Sequence, residues 1–520
     1  MLRPSKVVRR QWKEPPSAII AAIDDHPPWY RDVGIRKMMF PIALIYLTQV
    51  CTGFDATLTA NLQSFKEWKR EMGNPNASQI GIITAIYFIG CFCGSVPSQI
   101  VIDKYGRKLG LIVGQLLTVA GAGFQAGSQG RGQYMGSRFI LGFGIAFITC
   151  AGPALLSELA HPRFRGTLVS FFNPFWYFGS IIAAWTCFGT SHMDSTNTWN
   201  WRIPSCLQAF CPIVVLMCAY WIPESPRWLI YKNRKEEAAQ IIAHYHGNGN
   251  PDDTLVSTQL EEIELAVLRA QEGVTWKALF TQKANLQRLL IVISMTLMTL
   301  WCGQNIITYY FSSILNSIKI TGTTQQTAIN GGLSIANLVS SCVGALMVDR
   351  MGRRKLWMAS YTGMIIIFVP FISLSAMYAQ HDRTSEGYGV VICLFLFDIM
   401  YNVACNPLLY SYVTEVMPFY MRSRGLAVKN LVGQLALIAN MYVNPIALEA
   451  IGYHYYIFFL GLNCIWLATI WLFFVETKGY TLEEIQQFFD SSRELETVVL
   501  ESKGTMEKQE MESNIKSCKA

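Results

Sequence analysis

Apolar residues run along most of the chain in stretches long enough to cross a bilayer, with polar breaks between them. A hydrocarbon core takes about 20 residues of helix. Twelve stretches meet that length: 39–60, 79–99, 109–127, 135–157, 168–190, 203–222, 288–313, 324–348, 357–378, 388–412, 425–447 and 454–475. One break is long, 223–287, and it leaves six stretches on each side. Inside it, 233–245 and 258–271 have helical composition, which predicts short helices outside the bilayer. The pattern therefore predicts an all-α membrane protein of twelve transmembrane helices in two halves of six. The segments are a tail 1–38, a bundle 39–222, a loop 223–287, a bundle 288–475 and a tail 476–520. The last tail begins with a helix near 481–490; the rest is charged, low in aromatics and expected to be disordered.

Charge sharpens the picture. Charged residues are 15% of the chain and apolar residues 52%, the balance of a polytopic membrane protein. The net charge of +7 does not call for nucleic acid, because the basic residues sit in small clusters between apolar runs. Those clusters set topology. Lys104, Arg107 and Lys108 follow span 2; Arg350, Arg353, Arg354 and Lys355 follow span 8. The opposite loops carry few basic residues, except the first, where Glu67 and Glu71 partly offset Lys66, Lys69 and Arg70. Both termini are expected in the cytoplasm of a multi-pass protein, with the plasma membrane and a monomer as the default. The sequon Asn76-Ala77-Ser78 then falls on the outer face as a glycosylation site. The first 37 residues are polar and basic, with no cleavable signal peptide evident.

Several apparent signals dissolve in this frame. The 14 cysteines lie mostly inside apolar runs and lack CxxC spacing with His, so they read as packing residues, with no metal site. His161, His192, His244, His246 and His454 show no ligand spacing, and His244 and His246 are expected to be solvated in the long loop. Gly121-Ala-Gly-Phe-Gln-Ala-Gly127 imitates a dinucleotide loop but lies in an apolar span with no strand before it. Pro97, Pro153, Pro174 and Pro407 are expected to bend or end helices. No nucleophile–base set appears, so neither an enzyme nor a cofactor is expected.

The two halves repeat. Asp103-Lys-Tyr-Gly-Arg107-Lys108 follows span 2 and Asp349-Arg-Met-Gly-Arg353-Arg354 follows span 8. Glu158 with Arg165 follows span 4 and Glu415 with Arg422 follows span 10, each pair seven residues apart. Paired halves of this kind suit a transporter that holds its substrate between them near the midplane. These motifs, with Pro223-Glu-Ser-Pro-Arg-Trp-Leu229 and Glu476-Thr-Lys-Gly479, resemble the sugar porter family of the major facilitator superfamily over about residues 40 to 490. Asn406-Pro-Leu-Leu-Tyr-Ser-Tyr-Val-Thr-Glu415 and Val443-Asn-Pro-Ile-Ala-Leu-Glu-Ala-Ile451 look most like its fungal lactose-permease-like and cellodextrin-transporter-like members.

The resemblance implies the major facilitator fold and alternating-access transport of a sugar, with proton-coupled uptake of a disaccharide or a hexose. Charges inside a bilayer are costly and need a partner or a task. Asp55 in span 1 and Arg138 in span 4 match the Asp–Arg pair of proton-coupled sugar porters. Two readings stand: protonating Asp55 weakens the pair and frees the helices, or the pair is permanent and sets packing only. Arg107, Glu158, Arg165 and Glu224, mirrored by Arg353, Glu415, Arg422 and Glu476, are implied to form ion pairs that close a cytoplasmic gate.

Positional matching places sugar-binding residues at Asn173, Asn305, Asn337, Tyr410 and Gln434, with Gln304 and Tyr309 nearby. The two span 7 glutamines of hexose porters become Thr299 and Leu300, which puts plain glucose in doubt. Amides suit sugar hydroxyls because they donate and accept together. Gln304 and Gln434 also read as interhelical hydrogen-bond formers. Asp398, in the middle of span 10, matches no family position; it is either a second protonation site or a group facing an outer water cavity. Transport of a polyol, a quinate-like acid or a secondary metabolite is the alternative on the same scaffold. A non-transporting sugar sensor ranks last, because the final tail is short.

Overall fold

The structure is a computed structural model that describes residues 30–193, 198–271, 280–381, 384–417, 421–478 and 489. The start of the first tail and nearly all of the last, including the helix expected near 481–490, lie outside the described residues. Among the described residues ten helical stretches are long and apolar enough to cross a membrane, one of them, Ala284–Ser317, interrupted midway. In chain order the first are α1 (Val33–Leu62), the short α2 (Lys66–Glu71), α3 (Ala77–Tyr105), α4 (Arg107–Ala126) and α5 (Arg131–Leu159). The second half holds α15 (Thr323–Met351), α16 (Arg353–His381), α17 (Thr384–Val416), α18 (Arg422–Ile451) and α19 (His454–Phe473).

Three crossings are broken helices. Span 5 is α6 (Arg165–Phe172) and α7 (Phe175–Thr190), parted at Asn173-Pro174. Span 6 is α8 (Trp199–Leu207) and α9 (Phe210–Met217), parted at Gln208-Ala209. Span 7 is α13 (Lys283–Leu300) and α14 (Gln304–Ser317), parted at Trp301–Gly303. The proline at 174 accounts for the first break, because it removes a backbone donor and its ring blocks the preceding turn. Pro97, Pro153 and Pro407 instead lie within continuous helices. Each break sets an amide side chain at membrane depth: Asn173, Gln208 and Gln304. Interrupted backbone survives there only where it is buried in protein or lines a cavity.

The bilayer acts as solvent for the outward faces. Val96, Ile100, Leu116, Phe124, Ile366 and Phe473 are all more than half exposed, on helices with buried opposite faces. Between the halves, α3 packs on α18, α7 on α15, and α1 on α14. The thirteen described cysteines are free, as packing residues would be.

The long loop folds into α10 (Pro226–Tyr231), α11 (Lys235–Tyr245) and α12 (Thr254–Gln271). One expectation fails here: His246 is buried rather than solvated. Its Nδ1 pairs with Gln259 Oε1 at 2.8 Å and its Nε2 with the Leu159 carbonyl at 3.1 Å, and its ring meets buried His161 at 5.0 Å. Sequence position marked a loop. It could not reveal that the loop helices fold back onto the end of α5.

Candidate functional site

The near end of the bundle is the end where α1 begins and α19 finishes; the far end is its opposite. At mid-depth in the first half, Asp55 of α1 and Arg138 of α5 form an ion pair with both side chains almost fully buried. Close helix crossing makes this possible. A Cβ built on Gly142, one turn after Arg138, would lie 1.9 Å from the Tyr87 carbonyl of α3, so only glycine lets α3 and α5 approach. That approach sets the Arg138 guanidinium over the Tyr87 ring, 4.5 Å from its centroid. Gln208, at the break in span 6, donates to Asp55 Oδ1 at 2.6 Å. The remaining Asp55 oxygen and two of the Arg138 nitrogens have no partner. The pair is thus sealed from water and supported by an aromatic face and one amide, a setting in which one proton changes the charge balance sharply.

Between the halves lies a polar cavity of about 20 Å³. A space that small holds about one water and no sugar. Thr57, Tyr177, Ser180, Asn330, Ser334, Asn337 and Asp398 supply its polar wall, with Trp176 and Thr308 beside them. Hydroxyls and amides cross the seam between the two halves. Within the first half Thr57 donates to Ser180 at 2.7 Å; across the seam Ser180 pairs with Ser334 at 2.7 Å and Tyr177 donates to Asn402 at 2.5 Å. Asn337 donates to Asp398 Oδ2 at 2.8 Å. Toward the near end, Asn173 bridges Gln49 at 3.4 Å and the Asn406 carbonyl at 3.2 Å.

The far end is joined across the seam. Gln63 donates to the Tyr309 carbonyl, Thr323 to the Ser64 carbonyl and Asn330 to Asn61, each at 2.9 Å. Ser191 and Thr324 meet at 3.0 Å. These groups, with the cavity's own hydroxyls, went unnoticed in the sequence. Ser and Thr inside apolar spans are too common to stand out singly.

At the near end the repeated motifs build matching clusters. Gly106 and Gly352 take φ of 108° and 91°, a conformation that favours glycine, and each ends one helix and starts the next. Into each new helix start reaches a carboxylate. Glu224 accepts from the Arg107 and Lys108 amides at 2.9 and 3.2 Å, and Glu476 accepts from the Arg353 amide at 2.8 Å. A carboxylate suits a helix N-terminus because the exposed N–H groups and the dipole both favour an anion. Arg107 then reaches Glu158 at 3.2 Å, and Arg353 reaches Glu415 at 2.8 Å. Ser225 donates to Glu158 and Thr477 donates to Glu415, a further repeat that the sequence did not reveal. Burial pushes the Glu224 carboxyl above its ordinary value, against the pull of the three amides it accepts from. The described ion pairs of both clusters join residues of the same half.

Of the residues singled out for substrate, Asn337 lines the cavity directly. Gln304 lies one layer behind, beside the Asp398 carboxyl, with its Nε2 on Thr308 at 3.3 Å. The Thr299 hydroxyl turns back onto Met295 and Thr296, and Asn305 caps the broken helix by donating to the Leu300 carbonyl at 2.8 Å. Tyr309 sits at the seam against Phe88, ring centroids 5.6 Å apart, and Gln434 on α18 is half-buried with its carbonyl oxygen unpartnered. Asp398 faces this central cavity and is 1% exposed, so it does not face an outer water cavity. The side chains of Tyr410 and Arg422 lie outside those described. Arg165 stands at the first turn of α6, and Asn76 is exposed at the far end, where it caps α3 in a reciprocal bond with Gln79.

Comparison with known proteins agrees with this fold. The MFS-type transporter oryC of Aspergillus oryzae is 28% identical over 437 residues, covering 83% of this chain and 80% of its own. The hexose transporter HXT13 of Saccharomyces cerevisiae is 29% identical over 459 residues, covering 84% of this chain and 80% of its own. The proton:xylose symporter XylE of E. coli, solved with 6-bromo-6-deoxy-D-glucose bound, superposes with a TM-score of 0.73 at 20% identity, over 87% of this chain and 99% of that one. The sequence model of the family described as "Sugar (and other) transporter" matches residues 42–489, and this chain, with its major facilitator fold, belongs to that family.

Proposed function

We propose that this protein carries a sugar across a membrane by alternating access, driven by protons through the Asp55–Arg138 pair. The observation that carries the reading is the position of the polar cavity. It lies on the seam between two six-helix halves and draws its hydroxyls and amides from both. A cavity that neither half builds alone must come apart when the halves rock, and its contents then face one side at a time. In this conformation the far end is tied shut and the cavity is collapsed, so binding a pyranose requires the halves to separate.

The near-end clusters act as the gate. Single exposed ion pairs contribute about 0–1 kcal/mol, so only a network of this kind biases one state over the other. Asn173, Gln304, Asn305, Asn337, Tyr410 and Gln434 serve the sugar as the halves part. The missing pair of glutamines at Thr299 and Leu300 favours a disaccharide over glucose, because a site lacking its hydrogen-bond partners discriminates strongly. The protein works as a monomer in the plasma membrane, with the near end and both tails in the cytoplasm and Asn76 glycosylated outside. The chain divides functionally at 39–222 and 288–475, with 223–287 as the loop that ties the near ends. A carrier of a polyol is the second reading, because a polyol presents only hydroxyls to the hydroxyls and amides of the cavity wall.

The test is uptake in cells lacking sugar transporters. Labelled D-glucose, D-xylose, lactose and cellobiose, with a polyol and quinate beside them, are supplied at two pH values with and without a protonophore. Accumulation of a sugar that collapses with the protonophore is expected. Uptake of none of the sugars, with the protein at the cell surface, overturns the sugar reading.

A further inference from the structure

We propose that Asp398 is a proton-binding site inside the substrate cavity, separate from the Asp55–Arg138 pair. The proposal rests on the transport reading above and adds a second proton site to it. Both aspartates are 1% exposed, yet their surroundings are opposite. Asp55 is held by a guanidinium and an amide. Asp398 accepts from the Asn337 amide at Oδ2, 2.8 Å, with the Gln304 amide beside the carboxyl, and its Oδ1 has no hydrogen-bond partner. None of the described Lys, Arg or His residues forms an ion pair with it.

The neighbours that could supply a proton have placed theirs elsewhere. Tyr177 of α7 donates to Asn402, Tyr401 of α17 donates to the Thr299 carbonyl at 3.3 Å, and the Cys302 thiol faces the Thr299 carbonyl at 3.5 Å. Among the described residues no charge of either sign faces Asp398 from α7, from the break between α13 and α14, from α15, where Asn337 is the contact, or from α16, which meets α17 here through Phe368 on Phe397. An ionised carboxylate buried among neutral amides with no cation is heavily penalised, and such a group takes up a proton instead.

The surrounding oxygens point the same way. Asn337 Oδ1 and Gln304 Oε1 are also buried without a partner, and the amides of both residues lie beside the Asp398 carboxyl. A proton on Asp398 Oδ1 removes a buried charge that no described cation neutralises. Closing the halves therefore drives a proton from water onto Asp398. Opening the other end admits water, and the carboxyl releases its proton to that side. The proton shares its cavity with the Thr57, Ser180 and Ser334 hydroxyls and travels with the cargo.

Infrared spectroscopy of the purified full-length protein tests this directly through the C=O stretch of a protonated carboxylic acid. At neutral pH the wild type is expected to show a buried carboxyl band that persists in Asp55→Asn and disappears in Asp398→Asn. The band should return, shifted, in Asp398→Glu. A band left unchanged by Asp398→Asn, or absent from the wild type, overturns the proposal. Should Asp398→Asn not fold, Asn337→Leu takes its place: losing the amide donor must move the band, and an unmoved band overturns the assignment. The band needs no sugar. If no sugar on the panel is carried but the band behaves as stated, the sugar reading falls and the proton site stands. If sugar accumulates but Asp398→Asn keeps the band, the proton site alone falls.

Discussion

Replacing Asp55 with asparagine imitates its protonated form and leaves the Arg138 cation stranded. Arg138 is 0% exposed, its one ionic partner among the described residues is Asp55, and two of its nitrogens already lack a partner. Removing one member of a buried pair costs about 3–5 kcal/mol, because the surviving charge stays desolvated. The Tyr87 face beneath the guanidinium recovers up to about 2 kcal/mol of attraction but is present before and after the change, so it does not offset the loss. The amide oxygen of the introduced asparagine still accepts from Arg138, which places the expected cost at the low end, about 3 kcal/mol. At 1.4 kcal/mol per tenfold, that lowers the ratio of folded to unfolded protein by roughly a hundredfold. Asp55→Asn should therefore melt earlier in detergent and exchange sugar down a gradient. It should not accumulate sugar when a pH gradient is applied to proteoliposomes. Adding Arg138→Leu removes the stranded charge and should recover much of the lost melting temperature. Undiminished pH-driven accumulation by Asp55→Asn refutes the coupling role. A double variant no more stable than the single one refutes the electrostatic account.

Two further outcomes follow from the geometry. Gly142→Ala drives a methyl into the Tyr87 carbonyl, 1.9 Å from the built Cβ, and should lower stability by about 1–3 kcal/mol, the range for overpacking, read as a melting shift against the exposed control Gly136→Ala. Glu224 lies outside the bilayer and burial raises its carboxyl above the unfolded value. Its contribution is therefore fully present below the ordinary carboxylate range and fades as pH rises through the raised value. The melting difference between wild type and Glu224→Gln should change across that window, and a difference constant with pH overturns the assignment.

The twelve crossings were legible because bilayer thickness imposes a length on every apolar run. The observed helices extend the expected spans by a few residues at most ends, since polar residues such as Arg36, Lys37 and Lys104 belong to the helix but not to the apolar run. The repeat was legible too, because a tight turn between helices demands glycine and a helix start attracts a carboxylate. Gly106 with Glu224 and Gly352 with Glu476 carry that demand in plain sequence. The Asp55–Arg138 pair was visible as two charges in apolar spans, each too costly to stand alone.

What the sequence could not specify is which polar groups meet. Gln208 reaches Asp55 across 153 residues, and Tyr177 reaches Asn402 across 225, through helix breaks whose side-chain directions depend on packing. The same cause hid the buried His246 and turned Thr299 and Asn305 back onto their own backbone. Asp398 was conspicuous as a residue but not as a site, since only tertiary structure decides whether a buried carboxylate faces a cation, water or neutral amides. Length, hydropathy and local turn chemistry act along the chain and are written there. Partnership at the midplane depends on helices brought together by packing, within one bundle for Gln208 and Asp55 and between the two for Tyr177 and Asn402.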